Sequence, residues 1–304
     1  MSARILEGAA IAAAIRHEVG EAVGKWPHRH PPGLCVVLAG NNPASEVYVR
    51  SKVRACKALG IYSEEILLAE GVSTAELLAV VAGLNARDDI DGILIQLPLP
   101  PQVDSAAVLL AVSPEKDVDG FHPMNLGRLV TQRPGLVPCT PAGIIQLLLR
   151  SGIEIAGREA VVVGRSDIVG KPVALLLLQR HATVTICHSR TPNLAEVCQR
   201  AGILIAAVGR PAMIDEKHIR PGAVVIDVGI NRLTDAAAVE RYYPGDVRRR
   251  DEYQRRGSTL IGDVDPRAAC ALASAFSPVP GGVGPLTIAM LMSNSVAAAT
   301  ARRG

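Results

Sequence analysis

Short apolar runs alternate with longer helical patterns along the whole chain. The runs are apolar at consecutive positions, as in strands that are buried on both faces. They are GLCVVLAG, DGILIQLPLP, AVVVG, ATVTICH, GILIAAVG and GAVVIDVG. Because each run is separated from the next by a helical pattern or a turn, the chain is predicted to be an α/β protein with mainly parallel sheets.

A segment rich in proline, glycine and charge, residues 113–143, divides this series in two. The length of 304 residues suits about two domains, so we place the passage between domains there and in the helix that follows. A second such segment, SPVPGGVGP, precedes a last helix that could close either domain. The predicted division is residues 1–145 plus 279–304 in one domain and residues 146–278 in the other.

The amino-acid composition indicates a globular protein and gives no sign of a nucleic-acid-binding one. Apolar residues make up 49% and charged residues 20%, which is typical of a globular chain with a packed core, and the net charge is only +3. The most basic run, VRRRDEYQRR, has no nucleic-acid-binding module around it and is predicted to be a solvated loop. We therefore expect no nucleic-acid partner.

The cysteines and the hydropathy of the chain indicate the cellular compartment of the protein. The six cysteines show no metal-ligand spacing and are predicted to be small buried residues in a reducing environment, with no metal site. The N-terminal stretch carries charges among its apolar positions, unlike a signal peptide. No segment reaches the roughly 18 uncharged apolar residues that span a bilayer. A cytoplasmic protein without a membrane partner is expected.

One helix carries a candidate site. NNPASEVYVRSKVRACKALG is predicted to be a helix with Asn42 as N-cap, Pro43 at its first position and Gly60 at its end. Tyr48 and Lys52 lie four residues apart on one face, at the carboxyl edge of a sheet where α/β proteins bind ligands. By spacing alone, the tyrosine of an ordinary exposed helix could simply cover the lysine stem.

The same spacing occurs in the acid/base pair of short-chain dehydrogenases. In that family the pair follows the nucleotide-binding strands, and a glycine-rich turn opens the chain. Here the pair comes first and no such turn precedes it, which excludes that interpretation.

Gln96 interrupts the apolar run GILIQLPLPP. A buried amide without partners costs on the order of 1–3 kcal/mol, so it either has structural partners or is kept for a ligand. The two Leu-Pro pairs end the strand just beyond it. Gln96 is therefore predicted at the carboxyl edge of the sheet, with the Lys52 amine as its partner.

A second candidate site is a strand, turn and helix with Gly164 and Gly170 in the turn. Such a turn directs backbone N–H groups and a helix dipole at phosphate, although a βαβ crossover without a nucleotide has the same pattern. At the tip of the next strand, where NAD-binding folds carry an acidic residue, the chain has His188, Ser189 and Arg190. With Arg165 in the first turn, these groups favour NADP over NAD.

Several long motifs together resemble one family. They are YVRSKVRACKALGI, DGILIQLPLPPQV, PEKDVDGFHPMNLGRL, PCTPAGI, VVVGRSDIVGKP and PVPGGVGPLTIAML. In this order they are similar to the bifunctional methylenetetrahydrofolate dehydrogenase/methenyltetrahydrofolate cyclohydrolase family. The resemblance implies oxidation of 5,10-methylenetetrahydrofolate with NADP and hydration of the product to 10-formyltetrahydrofolate, in a cleft between a catalytic and a Rossmann-like domain. It also implies a homodimer.

The resemblance also implies roles for individual residues. The implied catalytic residues are Lys52, the conserved helix lysine, Gln96, the modulating glutamine, and Tyr48, which also stacks on the pterin. The pterin-binding aspartate corresponds to Asp119. Further substrate-binding positions are Pro280, Gly281 and Gly282. The cofactor-binding positions are Gly164, Arg165, Ser166, His188, Ser189, Arg190 and Ile230.

The segment before GDVD departs from the family pattern. It is longer than the family's usual turn, and residues 236–258 are predicted to form a surface insertion near the cofactor. Two other functions stay open: a monofunctional NADP-dependent dehydrogenase, which the presence of both Lys52 and Gln96 argues against, and a non-catalytic folate- or nucleotide-sensing module.

Overall fold

The computed structural model describes residues 2–303, excluding the side chains of residues 43 and 44. The strands, in chain order, are β1 (Arg4–Ile5), β2 (Gly33–Ala39), β3 (Tyr62–Leu68), β4 (Gly92–Ile95), β5 (Glu159–Val163), β6 (Thr183–Cys187), β7 (Ile203–Ala206), β8 (Val224–Asp227), β9 (Asn231–Leu233), β10 (Thr259–Ile261) and β11 (Ala275–Ser277). The helices are α1 (Gly8–Gly24), α2 (Pro43–Leu59), α3 (Thr74–Ala86), α4 (Ser105–Ala111), α5 (Pro123–Val130), α6 (Cys139–Arg150), α7 (Gly170–Leu178), α8 (Leu194–Cys198), α9 (Ala236–Tyr242), α10 (Val247–Arg256), α11 (Pro266–Leu272) and α12 (Gly284–Arg303).

The chain divides into two units, each with its own parallel sheet. The six-stranded unit runs through Ile11 and then from Thr140 to Thr287. The three-stranded unit runs from Ala12 to Cys139 and from Ile288 onward. The predicted α/β class, with a parallel sheet in each of two domains, is confirmed.

In the three-stranded unit, β2 lies between β3 and β4 and pairs in parallel with both. Every residue of β2 and β4 is buried, as their continuous apolar runs predict. The edge strand β3 was not predicted, because its sequence YSEEILL has two adjacent glutamates and no long apolar run, and none of its residues is fully buried. The carboxyl ends of β2 and β4 meet at one edge of this sheet.

In the six-stranded unit the strand order is β1-β11-β8-β7-β5-β6, with every neighbouring pair parallel. From β5 the chain moves outward to β6 and then crosses to β7 on the other side. Open α/β sheets bind ligands at such a reversal of strand order, outside the carboxyl ends of the strands. The segments after β5 and β7 flank this point.

The observed units differ from the predicted domains at both ends of the chain. The first residues join the six-stranded unit because β1 pairs with β11, with Arg4 beside Ala275. The residues up to Thr287 also belong to this unit, whereas the prediction ended it at residue 278. Strand β1 has only two residues, which are too few to show a hydrophobic pattern, so the sequence did not predict this pairing.

The basic run VRRRDEYQRR is a helix, so its prediction as a solvated loop was wrong. It forms α10, which begins after the N-cap Asp246 and ends at Gly257 in the left-handed region. With α9 it lies between the antiparallel strands β9 and β10. We call residues 236–258 the inserted segment.

Two other sequence-based expectations can be compared with the structure. The six cysteines are free thiols, and the prediction that they are buried is confirmed for five of them, whereas Cys270 is partly exposed. None of the helices within residues 2–303 is long and apolar enough to cross a bilayer.

Candidate active site

Lys52 and Gln96 meet at the carboxyl edge of the three-stranded sheet. Helix α2 starts just after β2, and the Asn42 side chain caps it by accepting the Ser45 N–H at 3.3 Å. Gln96 follows β4, and its N–H donates to the Val37 carbonyl at 2.9 Å. The Lys52 ammonium donates to Gln96 Oε1 at 3.0 Å, the contact that the sequence predicted.

The Gln96 amide is fixed at both ends. Its Nε2 donates to the carbonyl of Leu97 at 2.7 Å, so the oxygen is the atom that faces Lys52. A neutral amide oxygen accepts from an amine without favouring the charged ammonium form as strongly as a carboxylate does. The pair therefore holds the amine in place through a neutral acceptor.

Asp119 lies near Lys52 with an unused carboxylate. No group within residues 2–303 donates a hydrogen bond to it. Burial raises the pKa of Asp119 to about 6, while the nearby Lys52 charge lowers it and Asp117 raises it. The Asp119 side chain can therefore accept hydrogen bonds from a ligand.

The backbone on both sides of Asp119 is held firmly. The buried Asp117 carboxylate accepts from the His122 N–H and the Asn125 amide, each at 2.8 Å. The Asn294 side chain donates to the Val118 carbonyl at 2.8 Å. These bonds position Asp119 without using its oxygens.

Tyr48 lies one helical turn before Lys52 on α2 and is 42% exposed. Its ring is the large apolar surface available on this face of the helix. A flat heteroaromatic ring of a ligand can stack on it, since aromatic faces prefer offset stacking.

The turn between β5 and α7 admits only glycine at two positions. Gly164 has φ +126°, and a Cβ there would lie 2.1 Å from the Ala207 carbonyl oxygen. A Cβ on Gly170 would lie 2.3 Å from the Gly164 oxygen. The Ser166 hydroxyl accepts from the N–H groups of Val169 and Gly170, each at 3.2 Å. This close-packed turn at a helix start fits a pyrophosphate.

The turn after β6 presents hydroxyl and basic groups. The His188 N–H donates to Thr191 Oγ1 at 2.9 Å, and His188 Nδ1 accepts from the Arg190 N–H at 3.1 Å. Ser189, Arg190 and the Arg165 side chain in the first turn are exposed. No carboxylate occurs in residues 188–191, so this edge suits a ribose 2′-phosphate.

Two buried aspartates, which sequence analysis did not single out, hold the ends of β7 and β8. Asp263 accepts from three consecutive N–H groups, those of residues 208–210, at 2.6 to 2.9 Å, and from the Asn231 amide at 2.9 Å. Asp227 accepts from the N–H groups of Gly229, Asp263 and Val264. Just beyond, Ile230 is 53% exposed and offers an apolar face.

A loop that includes Pro280, Gly281 and Gly282 follows β11, within the six-stranded unit. The Gly282 N–H donates to the Pro278 carbonyl at 2.8 Å, and the Gly8 N–H donates to the Gly281 carbonyl at 2.9 Å. Gly281 has φ +109°, and a Cβ on Gly282 would lie 2.8 Å from the Pro278 oxygen. Glycine is therefore required at both positions.

Two protein-family models match nearly the whole chain. The one described as tetrahydrofolate dehydrogenase/cyclohydrolase, catalytic domain, matches residues 6–119. The one described as tetrahydrofolate dehydrogenase/cyclohydrolase, NAD(P)-binding domain, matches residues 138–303. The chain belongs to the tetrahydrofolate dehydrogenase/cyclohydrolase family.

Individual relatives match this tetrahydrofolate dehydrogenase/cyclohydrolase over their full length. The bifunctional protein FolD of Koribacter versatilis is 60% identical, over 100% of this chain and 99% of that protein. The crystal structure of the bifunctional FolD enzyme from Campylobacter jejuni has a TM-score of 0.89 at 38% identity, covering 99% of this chain and 100% of that one. The Trypanosoma brucei methylenetetrahydrofolate dehydrogenase-cyclohydrolase, complexed with NADP cofactor and inhibitor, has a TM-score of 0.89 at 37% identity, covering 100% of both.

In this tetrahydrofolate dehydrogenase/cyclohydrolase, the predicted site residues fall into two groups. Lys52, Gln96 and Asp119 come together in the three-stranded unit, with Tyr48 on the same helix as Lys52. The remaining predicted residues lie in the six-stranded unit, in turns after its strands: Gly164, Arg165, Ser166, His188, Ser189, Arg190, Ile230, Pro280, Gly281 and Gly282. The missed residues Asp227 and Asp263 had one signal, an acidic residue placed directly beside an apolar strand.

Proposed function

We propose that this chain oxidises 5,10-methylenetetrahydrofolate to 5,10-methenyltetrahydrofolate with NADP and hydrolyses that product to 10-formyltetrahydrofolate. The observation that carries the proposal is the hydrogen bond from Lys52 Nζ to Gln96 Oε1 near the unused Asp119 carboxylate. A dehydrogenase alone has no need of an amine held in this way. The amine supplies the proton acceptor that hydration requires.

Lys52 acts as the general base in the hydration step. Its neutral amine takes a proton from water as the water oxygen bonds to the methenyl carbon. The amine then passes that proton to the ring nitrogen N5 as the carbon–N5 bond breaks, while the hydroxyl of the adduct loses its own proton to solvent, so that the carbonyl forms and the formyl group stays on N10. Gln96 keeps the amine lone pair directed, because its own amide is anchored to the Leu97 carbonyl.

Asp119 and Tyr48 bind the pterin. The ionised Asp119 carboxylate accepts two hydrogen bonds from the amino and ring N–H edge, which an ionised acceptor strengthens. The exposed Tyr48 ring covers the flat face of the pterin. Pro280, Gly281 and Gly282 contribute a rigid backbone surface to substrate binding.

The six-stranded unit binds NADP, which when bound supplies the hydride acceptor for the oxidation. The turn at Gly164, Arg165 and Ser166 holds the pyrophosphate through backbone N–H groups. His188 shapes the turn that presents Ser189 and Arg190 to the 2′-phosphate. Ile230 packs against the nicotinamide ring.

By resemblance to the family, we propose a cytoplasmic homodimer in one-carbon metabolism whose product serves purine biosynthesis. Its small-molecule partners are tetrahydrofolate derivatives. Analytical ultracentrifugation tests the dimer directly, since a chain of 31.9 kDa should sediment at twice that mass.

The proposed function is tested by supplying methylenetetrahydrofolate with NADP or with NAD and following methenyl formation and its hydrolysis. We expect both steps, with NADP preferred. If the methenyl product accumulated without enzymatic hydrolysis, the chain would be a monofunctional dehydrogenase. If NADP bound but neither folate was turned over, the chain would be a sensing module.

Gln96 variants test the geometry around the amine. Gln96→Ala removes the acceptor that directs Lys52, and we expect cyclohydrolase activity to fall roughly 10-fold, with a smaller change in dehydrogenase activity. Gln96→Glu keeps the size but adds a charge that favours the ammonium form, so its cyclohydrolase loss should be larger. Both activities are measured at saturating substrate. Full hydration by the Gln96→Glu protein contradicts the assigned role.

Arg165 and Arg190 are predicted to set the cofactor preference. In the double variant Arg165→Ala, Arg190→Ala we expect KM for NADP to rise roughly 10- to 100-fold, because charge-assisted hydrogen bonds to the 2′-phosphate are lost. KM for NAD, which lacks that phosphate, should change little. Arg220→Ala, at an exposed arginine of the same unit, is the matched control. Equal losses for both cofactors would count against this assignment.

A further inference from the structure

The inserted segment is an ordered element with its own small core. Helices α9 and α10 pack on the β9 and β10 hairpin around Leu233, Val239 and Ile261, which are all buried. The Arg250 guanidinium joins the two helices by a bidentate pair with Glu240 at 2.8 Å. The segment therefore holds a defined position within the six-stranded unit.

Arg249 differs from the other arginines of α10. Its side chain is only 12% exposed, whereas that of Arg250 is 45% exposed and that of Arg256 is 75% exposed. The Arg249 guanidinium lies over the Tyr243 ring, 4.5 Å from its centroid. Stacking and burial together fix the direction of its N–H groups.

Arg249 also reaches beyond the inserted segment. Its Nη1 donates to Thr259 Oγ1 at 3.2 Å, and its Nη2 donates to the Val279 carbonyl at 2.5 Å. The Thr259 hydroxyl in turn donates to Glu252 at 2.7 Å. This chain of bonds leads from the inserted segment to the loop of residues 278–282.

Three carbonyls of that loop accept hydrogen bonds from three different elements. The Pro278 carbonyl accepts from Gly282 within the loop, and the Gly281 carbonyl accepts from Gly8 at the start of α1. The carbonyl between them, Val279, accepts from Arg249. Neither of the first two bonds involves the peptide before Pro280, and the Arg249 guanidinium holds its carbonyl.

We propose that Arg249 is a positioning residue for the folate site. By holding the Val279 carbonyl, it fixes the 278–282 loop in the conformation that receives the substrate. The proposal rests on the proposed function, because that function makes this loop part of the folate site. The inserted segment thereby acquires a role in folate binding, since it sets the affinity for folate without touching it.

Arg249→Met tests this proposal, because methionine keeps much of the apolar stem but has no donor. We expect KM for methylenetetrahydrofolate in the dehydrogenase assay, and for methenyltetrahydrofolate in the NADP-free cyclohydrolase assay, to rise about tenfold. The kcat values and KM for NADP should stay within about twofold, since a loss of binding that is equal for substrate and transition state raises KM and leaves kcat unchanged. Arg248→Met, at the exposed neighbour on the same helix, should change none of these constants.

Arg249→Lys is the conservative variant, with its charge and one donor group retained, and its folate KM should lie between those of the wild type and Arg249→Met. Hydrogen exchange of a peptide covering residues 276–284, without folate, should be faster in Arg249→Met than in Arg248→Met. Lysine also keeps the charge opposite Glu252, so this variant decides the matter if Arg249→Met does not fold.

Distinct outcomes overturn the two proposals. If the wild type turns over both folates and the Arg249 variants keep wild-type folate KM values, only the positioning role of Arg249 is wrong. If KM for NADP and the melting temperature change in parallel with folate KM, Arg249 is merely structural and the proposal fails. If the wild type turns over neither folate, the proposed function fails, and the role of Arg249 fails with it.

Discussion

Lys52→Met is expected to lower cyclohydrolase activity by about 10²- to 10⁴-fold, the usual contribution of a positioned general base. Dehydrogenase activity should fall by no more than about tenfold, because oxidation depends mainly on alignment of the folate with the cofactor. Separate assays of methenyl formation and of methenyl hydrolysis measure the split. The two losses differ because only hydration needs a proton removed from water.

Lys57→Met is the matched control for this prediction. Lys57 lies near the end of α2 and its side chain is exposed, whereas Lys52 is half-buried and bonded to Gln96. The control should retain both activities. A Lys52→Met enzyme that hydrates methenyltetrahydrofolate at the wild-type rate would remove the basis for the proposed mechanism.

Asp119→Asn is expected to lower kcat/KM for both folates by on the order of a hundredfold, because two hydrogen bonds to an ionised acceptor are weakened or reversed. The affinity for NADP, measured by fluorescence quenching, should not change. An effect on NADP of the same size would show that Asp119 supports the fold as a whole instead of the pterin.

The pKa of Asp119 gives the wild-type enzyme a predictable pH dependence. Since burial raises this pKa to about 6, the carboxylate that binds the pterin is fully formed only above that pH. We expect kcat/KM for folate to fall about tenfold per unit as the pH drops below about 6, and this break to be absent in Asp119→Asn. A wild-type profile that is flat down to pH 5 would contradict the assignment.

The raised pKa of Asp119 also predicts how the free energy of unfolding depends on pH. The folded-state pKa of Asp119 lies above its ordinary value of 3.8, so the folded protein binds this proton more tightly than the unfolded chain does. That stabilisation is complete below pH 3.8 and is lost as the pH rises through about 6. At pH 7 Asp119→Asn should therefore gain stability, by at most about 3 kcal/mol for a shift of about two pKa units.

Asp117→Asn is expected to change the melting temperature in the opposite direction to Asp119→Asn. The Asp117 carboxylate accepts from the N–H groups of Phe121 and His122 and from the Asn125 amide. Burial raises the pKa of Asp117 as well, so removing its charge has a favourable part, but an amide there would place its NH2 donors against an N–H group that needs an acceptor. We expect this lost hydrogen bonding to outweigh the gain, so the variant should melt at a lower temperature than the wild type. Two aspartates two residues apart are thus expected to change stability in opposite directions.

Local sequence predicted the parts of the fold that local physics determines. The uninterrupted apolar runs of β2 and β4 indicated buried parallel strands, and Asn42 and Gly60 marked the ends of α2. The proposed contact between Lys52 and Gln96 followed from the rule that ligand-facing residues collect at the carboxyl edge of a parallel sheet. Predicting these features required only the hydrophobic periodicity, the helix-capping residues and the sheet topology.

The remaining features depend on contacts between distant parts of the chain. Asp263 holds residues 208–210, more than 50 positions away, and nothing in its neighbourhood reveals those partners. The basic run of α10 was predicted as a loop because its composition is that of an exposed segment. Arg249, the nearly buried member of that run, has its partners at Tyr243, Thr259 and Val279.

The position of β11 has a consequence for the order in which the protein can fold. This strand, Ala275–Ser277, lies between β8 and β1, so β1 can join its sheet only after residues 275–277 have been made. The first 139 residues, by contrast, already contain all three strands of the other sheet. Contacts across such long separations form slowly. During synthesis, the three-stranded sheet can therefore pair before the six-stranded sheet is complete, whereas α12, whose Asn294 holds the backbone beside Asp119, is added afterwards.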